Sequence, residues 1–504
     1  MIKRFEYTVV ICLFAATAFA QKPYHEQFRP QVHFSPPAHW MNDPNGMVYY
    51  RGVYHLFYQY YPGATVWGPM HWGHATSTDL VHWTNKPIAL YPDSLGYIFS
   101  GSAVIDHQNT SGFGKNGQPP MVAIFTSAKH VVDKDGEYYD QNQSIAYSND
   151  AGKTWHKYVH NPVLRNPNVK DFRDPKVSWY APGKKWIMTL AVKDHIEFYS
   201  SSNLKSWTKE SEFGQSLGAH GGVWECPDLF PMTTNDGKKM WVLIVNINPG
   251  GPQGGSATQY FVGDFNGRTF APNDTATRWL DQGTDEYAGV TWSNTGGRRI
   301  FLGWMSNWQY ATSVPTKTWR SAMTIPRELK LVKVDNAYYV AAEPVKEFDK
   351  LKGPAISLQN VDVEGDVNLT KRIKVTDNQY ELDLSSAQLK SFSITLFNAA
   401  GQKLLVGYDE EVNSWYIDRT QAGESAFNKD FAKRFSIQRI AKTKGTDLKL
   451  IVDAASVELF ADHGLTIMTS IFFPHQPLSM ISLNSPGRFR ADKIGYIPLI
   501  SIWP

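Results

Sequence analysis

Three acidic residues in the first half of the chain stand among neighbours that restrict the backbone. Asp43 lies in WMNDPNG (40–46), Asp174 in DFRDPKVSW (171–179) and Glu225 in GGVWECPDLF (221–230), each close to a proline. An Asp before a proline is by itself an ordinary turn former. Three such acids delivered to one cavity would be chemically different. Paired carboxyls repel, so the more desolvated one keeps its proton near neutral pH while another stays ionised. That division of labour is the one glycoside cleavage needs, with one acid to protonate the leaving oxygen and one carboxylate to act at the anomeric carbon. Two rival chemistries are weaker. His71 and His74 in HWGH lack a third ligand at metal-site spacing, and Cys226 has no histidine partner to activate it, so packing accounts for it better.

The composition narrows the partner. Lys and Arg number 50 against 47 Asp and Glu, and only 19% of residues are charged, so bulk charge attracts neither nucleic acid nor an anionic membrane. Aromatic residues reach 14%, with 17 Trp, which suits stacking on neutral sugar rings as well as sheet packing. Lys3 and Arg4, an apolar run from Val9 to Ala18 and the tripeptide Ala18-Phe19-Ala20 form an export signal expected to be cleaved before Gln21. The run is too short for a bilayer span, and Ile11 before Cys12 makes a surface lipoprotein the lesser outcome. An exported product, periplasmic or extracellular, then keeps Cys226 alone and folds without an internal disulfide.

The elements that must position these acids are short strands. MVYYRGVYHLFYQY (47–60) and KKWIMTLAV (184–192) alternate or run apolar between Gly, Pro, Asn and Asp turns, and long helical periodicity is nearly absent. STDLVHW (77–83), SNDAGKTW (148–155) and SSNLKSW (201–207) each set a Ser, then an Asp or Asn two residues on, then a Trp; DFNGRTF (264–270) is a looser fourth copy. This pattern describes a hairpin turn recurring once per four-stranded unit, hence propeller blades. With roughly 60 residues per blade, 21–345 holds about five. The charged segment 346–356 reads as a linker, and 357–504, with strands such as SFSITLFNA (391–399) and SVELFAD (456–462), as a β-sandwich. The expected fold is all-β throughout. Because inner strands of a propeller converge at one end of its tunnel, residues 43, 174 and 225 can meet there.

At this point the blocks WMNDPNG, HLFYQYYP (55–62), WGPMHWGHATSTDLVHW (67–83), IFSGSAVID (98–106), FRDPK (172–176), WECPD (224–228), LGWMSNW (302–308) and WRSAMTIPREL (319–329) resemble, in order, the motif series of glycoside hydrolase family 32, the levanases, inulinases and invertases. DAASVELFADHG (453–464) resembles the family's C-terminal signature. The resemblance implies a five-bladed β-propeller followed by a β-sandwich and a retaining β-fructofuranosidase with no cofactor and no metal. Asp43 is the implied nucleophile, forming a fructosyl-enzyme intermediate. Glu225 is the implied acid and then base, kept protonated by burial beside Trp224 and by the field of Asp43, and Asp174 stabilises the transition state. Asn42, Gln59, Trp67, Phe99, Ser100, Arg173, Asp285 and Trp308 are carried over as the surroundings of the terminal fructose. Pro44 and a tight turn at Gly46 are expected to present Asp43 on stiff backbone.

The blocks look most like those of bacterial levanases and exo-inulinases, so the expected partner is a fructan, levan or inulin. A fructosyltransferase, a sucrose-specific invertase and a non-catalytic fructan-binding protein are the alternatives. Linkage and endo or exo action depend on pocket depth and on loops such as the glycine-rich 112–120 and 248–260.

Overall fold

The computed structural model describes residues 24–134, 136–375 and 377–503; the expected export signal lies outside them. Five four-stranded antiparallel blades follow one another through residue 344. Their inner strands are His39–Tyr50, Tyr97–Ile105, Phe172–Tyr180, Val223–Thr233 and Tyr287–Thr291. The ring is closed by Trp319–Arg320, which pairs in parallel with His39 and Trp40 at the start of the first blade.

Local chemistry explains the blades. Arg51 and Gly52, both at positive φ, turn the first strand into the second. In blades one to four, a polar side chain caps the turn between the third and fourth strands. Asp79 Oδ1 accepts from the amides of Val81 and His82, Asp150 Oδ1 from Lys153 and Thr154, Asn203 Oδ1 from Lys205 and Ser206, and Asn266 Oδ1 from Arg268 and Thr269. The fourth copy is therefore the same turn without its serine and with Phe270 in place of the tryptophan. The aromatic closing each turn fills the space between sheets; Trp155 of blade two sits edge-on to Phe57 of blade one.

A short 3-10 helix, Lys346–Leu351, leaves the fifth blade with Phe348 and Leu351 buried, so the connecting segment is packed. The strands from Ile356 onward form a sandwich whose two layers share one long strand, Met480–Pro498. Its first residues pair with Phe392–Phe397 and its last with Tyr380–Ser386, which lets one strand cross from layer to layer. Leu396, Leu404, Ile417, Leu450, Leu459 and Leu483 fill the space between them.

The two domains are joined by a second apolar core and by buried charge. Arg327 of the fifth blade, with no exposed side-chain surface, donates to Asp281 (2.9 Å), to Glu458 of the sandwich (2.6 Å) and to Thr469 (2.7 Å). His33 lies between Asp453 (2.7 Å) and Glu458 (2.9 Å). Burial alone would lower its pKa, but its hydrogen bonds to the two carboxylates and their charges raise it to about 9, so the imidazolium persists at neutral pH. Arg327→Met would leave Asp281 and Glu458 buried without their shared cation, a loss of about 3–5 kcal/mol. Denaturant unfolding should show a markedly lower midpoint; a loss below about 1 kcal/mol would mean the apolar core alone holds the domains.

Candidate active site

Every inner strand breaks its ladder close to the end where it enters the propeller. The shifts fall between Met41 and Pro44, between Ile98 and Gly101, opposite Thr189 and Ala191 at Arg173–Lys176, between Glu225 and Asp228, and between Tyr287 and Val290. A β-bulge needs a residue outside the extended region, and Asp174 (φ 64°), Cys226 (φ 42°) and Ala288 (φ 55°) supply it in three blades. Pro44, Pro175 and Pro227 sit where the ladder demands no donor. The segment around Asp43 is thus a bulged strand, not the tight turn expected from Gly46. Gly46 (φ 52°) is required for a different reason: a Cβ there would stand 2.7 Å from the rings of both Phe57 and Trp72.

The bulges turn side chains into one cavity of about 250 Å³ at the axial end, lined by Asn42, Asp43, Gln59, Trp67, Phe99, Ser100, Arg173, Asp174, Glu225 and Trp308. All three acids and seven of the eight carried-over neighbours meet there. The eighth, Asp285, does not. It is fully buried at the domain junction, where Arg419 of the sandwich donates to it at 2.6 Å, and Tyr310, the Thr284 hydroxyl and the amide of Ile471 donate to it as well. It is an anchor between domains because the residues after it, not it, begin the inner strand.

Each acid is held differently. Asp43 accepts from Asn42 Nδ2 (2.8 Å) on one oxygen and from Ser100 Oγ (2.5 Å) on the other, with Cys226 Sγ 3.5 Å away. Asn42 is itself fixed by Trp40 Nε1 (2.7 Å), so Asn42 and Ser100 aim the carboxylate. Gln59 gives its amide hydrogens to Asn45 (2.8 Å) and the carbonyl of Ile98 (3.0 Å), which leaves its oxygen as an acceptor on the cavity wall. Arg173 donates twice to Glu225 Oε1 (3.0 and 2.8 Å) and once to Asp171 (2.7 Å), and lies 3.9 Å from Asp174. Tyr287 donates its hydroxyl to the other oxygen of Glu225. Asp174, buried, accepts from the amide of Cys226 at 3.0 Å. Trp224 is not a wall of this site. It points to the opposite side of its strand, into the core between blades three and four, with its Nε1 on the carbonyl of Ala219.

Burial raises the pKa of Asp43, and the charge of Glu225 raises it further against the hydrogen bonds of Ser100 and Asn42. Burial also raises Asp174; Arg173 opposes, Glu225 and Asp43 reinforce, and its pKa settles at about 7. The Cys226 thiol is pushed well above its ordinary value by burial and by Asp174 and Asp43, so it stays a thiol between two carboxyls.

The sequence reading missed Asp171, Gln141 and Tyr139, which also line the cavity, and Tyr287. Asp171 was findable, two residues before Arg173 on the same side of the chain. Tyr287 occupies the position in the fifth blade that Glu225 holds in the fourth, but no proline marks its bulge. Tyr139 comes from a hairpin far along the sequence and carried no signal.

Of the two glycine-rich loops, only 248–260 borders this end of the propeller: Ser256 Oγ accepts from the amide of Trp308 at 3.1 Å. Loop 112–120 is at the opposite end, where Gln118 meets Arg51 beyond the far end of the first inner strand. His71 and His74 diverge as well, His71 onto the carbonyl of Pro69 (2.9 Å) and His74 onto His55 (3.1 Å). Among the described residues, His195, Glu197 and Glu212 are close enough to share a cation, yet Lys209 already bonds both glutamates.

Because Asp174 binds its proton more tightly folded (about 7) than unfolded (about 3.9), its ionisation costs stability as pH rises from 4 through 7. Asp174→Asn should raise Tm at pH 8 by about 2–4 °C and by less at pH 5 while activity collapses. Calorimetry of both proteins at the two pH values checks this, and an equal Tm difference at both would remove the titration as its cause.

Known proteins are similar to this chain over both domains. Residues 33–344 match the model for the Glycosyl hydrolases family 32 N-terminal domain and residues 347–504 the model for its C-terminal domain. The chain is 45% identical over 502 residues to a levanase of Bacillus subtilis, covering 97% of this chain and 73% of that protein. It is 38% identical over 535 residues to an extracellular exo-inulinase of Aspergillus ficuum, covering 98% of each. The crystal structure of exo-inulinase from Aspergillus awamori superposes with a TM-score of 0.88 at 36% identity, over 95% of this chain and all of that one. With both domains matched end to end and the acids of its motifs gathered in one cavity, the chain belongs to glycosyl hydrolase family 32.

Proposed function

We propose that the protein is an exported, exo-acting β-fructofuranosidase that removes terminal fructose from levan or inulin by a retaining mechanism. The observation that carries this reading is the cavity: three carboxyls face one pocket of about 250 Å³ closed on its sides by aromatic rings, which suits a single sugar unit. Trp67, Phe99 and Trp308 wall it, so a chain end fits and the middle of a chain does not.

When the site carries a proton on Glu225, the first step joins an oxygen of Asp43 to the anomeric C2 of fructose as the C2–O glycosidic bond breaks and that proton passes to the departing oxygen. Arg173, doubly bonded to Glu225, then stabilises the carboxylate left behind. Esterified Asp43 no longer carries charge. Water attacks C2 in the second step, Glu225 takes its proton, and Asp43 leaves as the carboxylate, giving retained configuration. Asn42 and Ser100 keep Asp43 in line for both steps, while Asp174 accepts hydroxyls of the ring. Fructan is favoured over sucrose as the substrate because the matched relatives include a levanase and exo-inulinases.

Asp43→Asn and Glu225→Gln should each lower kcat on levan and inulin by about 10³-fold or more. Thin-layer chromatography of early digests should show fructose alone. A ladder of oligosaccharides would overturn the exo assignment, and undiminished turnover in either variant would overturn the assigned roles.

A further inference from the structure

One hairpin rises above the cavity mouth. The inner strand of the second blade stops pairing at Tyr97, opposite Ala128, but the next two strands stay paired with each other from Lys129 and Asp140 out to Asp133 and Gly136. On the face that carries Gln141 and Tyr139 into the cavity, strand alternation next places His130, paired with Tyr139, and then Val132, paired with Glu137. The ring of His130 is 5.3 Å from that of Tyr139, and its Nε2 is held 3.4 Å from Glu137. Tyr139 in turn lies 5.9 Å from Trp67. A strip of ring and branched apolar surface therefore runs from the cavity wall along the hairpin as far as Val132, with the exposed Glu137 side chain at its edge.

The strip is open to solvent. Val132 is 65% exposed and the His130 side chain 41%. Large exposed apolar side chains are few among the described residues; Val66 (45%), next to Trp67 in the chain, is another, while Tyr138 (47%) is on the other face of the same hairpin. Exposed apolar surface concentrated beside a site marks a place where something binds. The other side differs: loop 248–260 there is polar and rich in glycine.

We propose that this strip holds the fructan chain beyond the scissile bond, with the first sugar after the bond against Tyr139 and the next across His130 and Val132. The proposal rests on the fructan reading and deepens it, because sucrose has no unit that reaches His130. The polymer gains contact that a disaccharide cannot make, and the hairpin becomes a determinant of chain-length preference.

The test compares the parent with the double variant His130→Ala/Val132→Ala, using sucrose, levan and inulin, with the Tm of both proteins as a control on folding. KM for levan and inulin should rise about three- to tenfold with kcat kept, while kcat/KM for sucrose stays within about twofold. Binding of levan to the same double variant in an Asp43→Asn background should weaken by a similar factor. Parent cleavage of fructan with no difference in the variant, or an equal loss on sucrose and polymer, overturns the strip and leaves the substrate reading standing. Parent inactivity on both fructans overturns the substrate reading and this inference with it.

Discussion

The guanidinium of Arg173 is the interaction on which the catalytic cavity depends. Asp43, Asp171, Asp174 and Glu225 all face one small space, and four carboxylates so placed repel strongly wherever water is scarce. Arg173 bonds two of them and lies close to a third. Burial would weaken its own charge, yet the surrounding carboxylates raise its pKa, so it remains a cation at any working pH. The residual strain falls on Asp174 and Asp43, whose protons are held more tightly than in solution.

That geometry is built from strand irregularity. A regular strand alternates its side chains to either face, so a carboxyl aimed along the propeller axis needs a local change of direction. The bulges supply it at a known backbone cost, with Asp174, Cys226 and Ala288 in the left-handed region, and dense surroundings hold them there. Hydrogen bonds then fix what the backbone points: Trp40 holds Asn42, Asn42 and Ser100 hold Asp43, and Tyr287 with Arg173 holds Glu225.

The sandwich contributes from outside the cavity. Through Glu458 on Arg327 and Arg419 on Asp285 it grips the fifth blade on either side of the strand that carries Tyr287. The same buried carboxylate, Glu458, ties Arg327 to His33 ahead of the first inner strand. The first and last blades are thus fastened to one body where a propeller ring must close.

Alternating strands, polar caps before a Trp and three acids beside prolines were legible in the sequence, because each is a local pattern with a local cause. The turn side chains bond amides two to four residues away, so a short window contains the whole interaction. Partnership was not legible. Asp285 has the same neighbours in sequence whether it faces a sugar or Arg419, which lies 134 residues further on, and only the docking of the sandwich decides between them. Trp224 adjoins Glu225 in the chain yet faces the other way, and Tyr139 against Trp67 and Tyr287 on Glu225 are contacts across blades that no window contains. The residue types thus determined the chemistry available to this protein, and the tertiary structure alone decided which side chains share a dielectric environment, since that depends on distances set by packing between blades and domains.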